Sequence, residues 1–356
     1  MRRFCFAAGI ALLASLGLAQ QAPTAGPYKV LRTVKVGGEG GFDYVWADAD
    51  ARRLYVPRSG PTGRITVFNL DTLEHVGEIA NVNGHGTVVD SKSNHGFVTS
   101  KPFEMFDSKT LAKIKTIDVQ GNPDGIFFDA FNERVYDFSH APPHVTVIDA
   151  TDGSVVGTID LGGMPEQAVS DGKGHLYVDL EDKASVAVVD TKTLIVTARY
   201  DISSKGGTCA SLAFDVKNHI LFAGCRNPQT MVILNADNGN IIDSLPLGTW
   251  RGAILPGAGM GTDGAEFNPN TMEAFSSQGD GTLTVIKENS PTSFVVEQTV
   301  QTTASAKTST LDSKTGHIFL IAAEYAPPAE TPPPGGRGTG RGLMVPDSFA
   351  ILEVGM

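Results

Sequence analysis

Residues 127–163 read FFDAFNERVYDFSHAPPHVTVIDATDGSVVGTIDLGG and contain almost one complete unit of an internal repeat. Two apolar segments flank Asp129 and a short polar turn, and the second segment carries the aromatic residue Tyr136. Two further alternating segments follow at 145–149 and 155–161. Alternating β-branched and aromatic residues between turn residues predict four short β-strands.

The first hairpin turn of this unit occurs seven times along the chain, at intervals of 39 to 53 residues. The turn residues are Asp48, Asp90, Asp129, Asp171, Asp215, Asn268 and Asp312. Asp and Asn suit such turns because their side chains accept hydrogen bonds from backbone amides two residues on. Seven four-stranded units predict an all-β, seven-bladed β-propeller with antiparallel blades. A pair of β-sandwiches or an open solenoid is the alternative architecture.

The two ends of the repeat region complement each other. The seventh unit stops after its third strand, at 349–354, while residues 31–38 resemble the fourth-strand segment 156–163. We therefore predict that the N-terminal strand closes the last blade and protects its edge. The predicted propeller is a single domain covering 28–356, with a Pro/Gly-rich loop insertion at 326–342 in blade seven.

The first 19 residues are typical of a secretory signal peptide. Arg2 and Arg3 precede an apolar stretch at 4–18, and Ala19 ends a small-residue cleavage site. The stretch is too short to span a bilayer comfortably, so no membrane anchor is expected. We expect cleavage after Ala19, a linker at 20–27, and a periplasmic or secreted protein.

Two cysteines remain after the predicted cleavage, Cys209 and Cys225. They flank the first hairpin of the fifth unit, which would bring them close together. An exported protein favours a disulfide between them, and two buried free thiols are the alternative.

The composition excludes some partners. The chain has 356 residues, of which 41% are hydrophobic and 19% charged, with a net charge of −11. The apolar fraction suffices for a sizeable core, while the acidic balance argues against a nucleic-acid partner. We expect a monomer that binds a protein or a small-molecule ligand.

A ring of ionisable residues is predicted at one end of the propeller. Propeller symmetry places the residues five positions before the turn residues around the mouth of the central channel. These residues are Asp43, His85, Asp124, Glu166, Ala210, Asp263 and Lys307. The four carboxylates make Asp43, Asp124, Glu166 and Asp263 candidate ligands of a divalent cation, Ca²⁺ or Zn²⁺. The alternative is that the ring only caps inner strands.

Other candidate ligand-binding residues lie in loops predicted on the same face. They are Arg58, Lys101, His140 and Arg226. This face carries the longer loops, including 248–264 with Trp250 and Arg251, and binding sites concentrate in loops that a rigid scaffold presents.

Second-strand segments such as Leu54-Tyr55-Val56 and Leu176-Tyr177-Val178 accompany third-strand V-x-V-I-D segments along the chain. In these segments the sequence resembles the YVTN-repeat, YncE-like family of exported bacterial β-propellers. No repeat contains a complete Tyr-Val-Thr-Asn. The resemblance implies the propeller fold and export, and it implies no particular chemistry.

Three classes of function are compatible with such a propeller. The first is a non-enzymatic protein that binds a protein, a glycan or a small ligand through its loop-rich face. The alternative, by analogy with related propellers, is a metal-assisted lactonase with His85 as the base and Lys307, Arg58, Lys101 and Arg226 near a phosphate. An electron-transfer accessory is the third, and the sequence has no CxxCH haem motif to favour it.

Overall fold

The computed structural model describes residues 26–248, 261–327 and 342–356. Within these ranges 28 β-strands form seven four-stranded sheets, and all paired strands are antiparallel. The predicted signal peptide, Trp250, Arg251 and most of the 326–342 insertion lie outside the described residues. No helix in the described ranges is long and apolar enough to cross a membrane.

Each sheet is one blade, and six blades are built from four consecutive strands. After β1 (Lys29–Lys35), the strands of blades one to four are β2 (Trp46–Asp48), β3 (Arg53–Arg58), β4 (Arg64–Asn69), β5 (His75–Ala80), β6 (Thr87–Asp90), β7 (His95–Val98), β8 (Phe103–Asp107), β9 (Lys113–Ile117), β10 (Pro123–Asp129), β11 (Arg134–Ser139), β12 (Val145–Asp149), β13 (Val155–Ile159), β14 (Pro165–Ser170), β15 (His175–Leu180), β16 (Ser185–Asp190) and β17 (Ile195–Asp201). The strands of blades five to seven are β18 (Cys209–Asp215), β19 (Ile220–Arg226), β20 (Gln229–Asn235), β21 (Ile241–Pro246), β22 (Thr262–Asn268), β23 (Glu273–Gln278), β24 (Thr282–Ser290), β25 (Ser293–Gln301), β26 (Ser309–Leu311), β27 (Ile318–Ala322) and β28 (Ala350–Gly355). The seven-bladed propeller predicted from the repeat is confirmed.

The turn residues behave as predicted in all seven blades. Each one accepts a hydrogen bond on a side-chain oxygen from the backbone amide two residues on. The donor amides belong to Asp50, Lys92, Phe131, Lys173, Lys217, Asn270 and Lys314. These bonds fix the hairpin between the first and second strands and so set the register of each blade.

The core lies between neighbouring blades. Tyr136 and Phe138 of β11, for example, pack against Leu176 and Val178 of β15. Second and third strands are covered by other blades on both faces, so most of their residues are buried, whereas the outer strand β17 alternates between exposed and half-buried residues. Sheet-to-sheet packing of this kind holds the first strands rigidly around the central channel.

The last blade is closed by the N-terminal strand, as predicted. Strand β1 pairs with β28, with Val30 opposite Val354 and Lys35 opposite Ala350. The side chains of Arg32 and Glu353 form an ion pair across these strands. The two ends of the propeller therefore meet in one sheet, which completes the ring.

The predicted disulfide is present between Cys209 and Cys225. The two residues face each other in the register of β18 and β19, and both are buried. The alternative of two free thiols is therefore excluded in this structure.

Candidate functional site at the channel mouth

The first strands surround a central channel with a cavity of about 410 Å³. Aromatic and small residues line it, among them Trp46, Phe127 and Phe214, and Glu266 adds a carboxylate. Tyr44, Glu166 and Asp263 lie at its edge, where the first strands begin. This edge is the channel mouth at which the sequence predicts a ring of ionisable side chains.

Local irregularities of the first strands position the ring residues. The register of β10, β14 and β22 shifts next to Asp124, Glu166 and Asp263, respectively. A β-bulge of this kind redirects a side chain out of the regular alternation. Glycine follows two of these residues because neighbouring blades approach closely there. A Cβ atom on Gly125 would lie 2.7 Å from the carbonyl oxygen of Glu166.

Five of the predicted residues form an unbroken chain of carboxylates and imidazoles. We call this chain the acid–imidazole half, and its members are Asp43, His85, Asp124, His140 and Glu166. Nδ1 of His85 lies 3.1 Å from Oδ2 of Asp43 and 3.3 Å from Oδ1 of Asp124. Nε2 of His140 lies 3.3 Å from Oδ2 of Asp124 and 3.6 Å from Oε1 of Glu166.

Asp263 and Lys307, the remaining ionisable ring residues, form a second cluster with Arg226, which we call the basic half. Arg226 and Lys307 both form ion pairs with Asp263, which is 5% exposed. Arg226 also donates to Glu181 at 2.9 Å. Lys307 joins the two halves, since its Nζ lies 4.0 Å from Oδ1 of Asp43.

Two residues of the mouth were not among the predicted ones. The hydroxyl of Tyr44 donates to Glu166 at 2.8 Å, and Glu181 pairs with Arg226. The sequence could have pointed to Glu181, because this residue directly follows the second strand of blade four, as His140 follows the second strand of blade three. Arg226, at the end of β19, supplies a charged group in blade five, whose ring position is occupied by Ala210.

Two predicted residues make contacts outside the ring. Arg58 is 1% exposed, and its guanidinium lies 3.6 Å from the ring centroid of Phe349 and donates to the carbonyl of Gly37 at 3.2 Å. Lys101 donates to the carbonyl of Gly121 at 2.6 Å. Neither contacts the acid–imidazole half.

The contacts change the protonation behaviour of the acid–imidazole half. The carboxylate of Glu166, 3.6 Å from Nε2, and the nearby charge of Asp124 raise the pKa of His140 to about 9. The hydrogen bond with Asp43 raises the pKa of His85. Burial, together with repulsion from Asp43, raises the pKa of Asp124 to about 6. Near neutral pH the imidazoles therefore act as the local counter-charges of the carboxylates.

The same side chains can hold a metal ion. Two groups have their potential ligand atoms within 4.8 Å of one another: Asp43 with His85 and Asp124, and Asp124 with His140 and Glu166. Imidazole nitrogens and carboxylate oxygens are ligands of Zn²⁺ and related divalent ions. Asp263, a predicted ligand, instead pairs with Arg226 and Lys307.

No family model matches the sequence, and no curated protein matches it. Solved structures match the fold at low sequence identity. A chain of the mitotic checkpoint complex is 11% identical with a TM-score of 0.69, and the match covers 90% of this chain and 96% of that chain. A chain of hydrazine synthase from Kuenenia stuttgartiensis is 14% identical with a TM-score of 0.67, over 81% and 94% of the two chains.

The WD40 repeats of RRP9 are a third match, at 11% identity and a TM-score of 0.68, over 94% of this chain and 99% of that chain. At these identities the similarity extends to the fold alone. The chain is thus a seven-bladed β-propeller with WD40-like structural neighbours.

Proposed function

We propose that this protein is an exported, non-enzymatic propeller of the YVTN-repeat type that binds a ligand through its channel-mouth face. Propellers typically serve as rigid binding scaffolds, and here the loops of one face surround a ring of charged groups. The N-terminal signal pattern and the Cys209–Cys225 disulfide support export, since disulfides persist in oxidising compartments.

The acid–imidazole half carries this proposal. Three carboxylates and two imidazoles from blades one to four lie side by side. The nitrogen and oxygen atoms of neighbouring members are 3.1 to 3.6 Å apart. We propose that this half holds a divalent cation, to which an oxygen-bearing small molecule or protein side chain then binds. The imidazoles favour Zn²⁺ over Ca²⁺, because Ca²⁺ takes oxygen ligands.

Calorimetric titration of EDTA-treated protein with Zn²⁺ tests the proposal. We expect saturable binding that His85→Gln and His140→Gln each weaken at least tenfold. His219→Gln is the matched control, because His219 also pairs with a carboxylate, Asp237 at 2.7 Å, but lies at a first hairpin turn. Zn²⁺ binding that is absent, or equal in all four proteins, would refute the proposal.

A metal-assisted hydrolase is the second candidate function. Each group of three potential ligands would leave a coordination position for water on a tetrahedral ion, as catalytic zinc sites do. Zn²⁺-loaded protein should then hydrolyse γ- and δ-lactones, and the Asp124→Asn variant should not. Zn²⁺ binding without lactone hydrolysis favours the non-enzymatic function.

A further inference from the structure

We infer that the acid–imidazole half is a two-metal centre in which the carboxylate of Asp124 bridges two divalent cations. This inference rests on the proposed function and extends it, because a single bound ion would satisfy that function. The geometry of the five side chains divides them into two coordination sites.

The two oxygens of Asp124 face different imidazoles. Oδ1 lies 3.3 Å from Nδ1 of His85, and Oδ2 lies 3.3 Å from Nε2 of His140. Each imidazole has a second carboxylate on its other side, Asp43 for His85 and Glu166 for His140. The arrangement therefore contains two sets of one nitrogen and two oxygens, with Asp124 common to both.

The separations fit metal coordination. A tetrahedral ion bound at 2.0–2.1 Å sets its ligand atoms about 3.3–3.4 Å apart. The four nitrogen–oxygen separations are 3.1, 3.3, 3.3 and 3.6 Å, and all four exceed the 2.7–2.9 Å typical of charge-assisted hydrogen bonds. Nε2 of His140 is shielded from solvent and forms no hydrogen bond. A bridging carboxylate also matches the spacing of roughly 3.5–4 Å found between ions of two-metal sites.

Manganese is the probe that tests the bridge. EDTA-treated full-length protein would be loaded with Mn²⁺, desalted, and assayed for manganese per chain and by electron paramagnetic resonance. We expect two ions per chain and the spectrum of an exchange-coupled pair. His85→Gln and His140→Gln should each retain one ion with an uncoupled spectrum, while the control His219→Gln should retain two coupled ions.

The outcomes separate this inference from the proposed function. One ion per chain in the wild type, or two ions without exchange coupling, overturns the two-metal centre but leaves single-cation binding intact. No retained ion overturns the two-metal centre, and the Zn²⁺ titration described above then decides the proposed function. Circular dichroism of each variant checks folding, and if a variant does not fold, the wild-type stoichiometry and spectrum still decide.

Discussion

Nε2 of His140 lies 3.3 Å from Oδ2 of Asp124, and both residues belong to blade three. Asp124 lies at a register shift of the first strand, and His140 directly follows the second strand. One blade therefore supplies two adjacent members of the acid–imidazole half, and Glu166 of blade four extends the chain. This relationship makes the protonation of His140 depend on its neighbours.

The first prediction concerns the pKa of His140. In metal-free protein it is raised to about 9, chiefly by the neighbouring carboxylate of Glu166. Glu166→Gln should move this pKa most of the way back towards 6.5, because the amide carries no charge. NMR titration of the imidazole resonances measures it, with Glu78→Gln on blade one as the control. An unchanged pKa in Glu166→Gln would contradict the assignment.

The same shift predicts a pH dependence of stability. Folded His140 binds its proton more tightly than the unfolded chain does, so its contribution is fully present below about pH 6.5. That contribution is lost as the pH rises from 6.5 through about 9. Urea unfolding should therefore show a steeper loss of stability over this range in the wild type than in His140→Gln.

The sequence predicted the fold and most of the residues at the channel mouth. It did not predict which of these residues contact one another. Counting five residues back from the turns located Asp43 and Asp124, because the repeat keeps the first strands equivalent. Their partners depend on β-bulges and on neighbouring blades, which carry no periodic signal. Tyr44 reads as an ordinary core aromatic, and only the fold shows its bond to Glu166. Arg58 was predicted to bind a ligand at the loop-rich face, yet it packs on Phe349 near the other end of the chain.

The second prediction concerns Asp263, the shared partner of Arg226 and Lys307. Asp263→Ala would leave two partly buried cations without their common counter-charge. We expect a loss of about 3 kcal/mol in the free energy of unfolding. Asp71→Ala is the control, because Asp71 forms an exposed ion pair with Arg52 and should cost less than about 1 kcal/mol. If Asp263→Ala costs no more than Asp71→Ala, the basic half contributes little to the free energy of unfolding.

The third prediction concerns the disulfide of blade five. The bond joins residues 16 positions apart, so its removal frees a short loop in the unfolded chain. Replacing both Cys209 and Cys225 with Ala should lower the free energy of unfolding by about 3 kcal/mol. Unfolding in urea with and without dithiothreitol measures this. The reductant should destabilise the wild type and leave the double variant unchanged. Equal stability of the wild type with and without the reductant would contradict the prediction.

The fourth prediction concerns Glu266, which lines the central channel. Burial raises its pKa to about 8. A raised carboxyl pKa means that the folded chain holds a proton that the unfolded chain has released. The free energy of unfolding therefore falls as the pH rises from about 4.5, the ordinary value, to about 8, and the loss is complete above that.

Glu266→Gln removes this titration while keeping the shape of the side chain. The variant should be more stable than the wild type at pH 8.5 by about 2 kcal/mol, less than the full pKa shift would give, because the side chain is only half-buried. Thermal unfolding between pH 5 and pH 9 measures the difference, and Glu74→Gln in an exposed turn is the control. The Glu266→Gln curve should diverge from the wild type as the pH rises, whereas the control should stay parallel. Parallel curves for both variants would mean that Glu266 is already ionised at neutral pH, which would make the channel a negatively charged cavity below the acid–imidazole half.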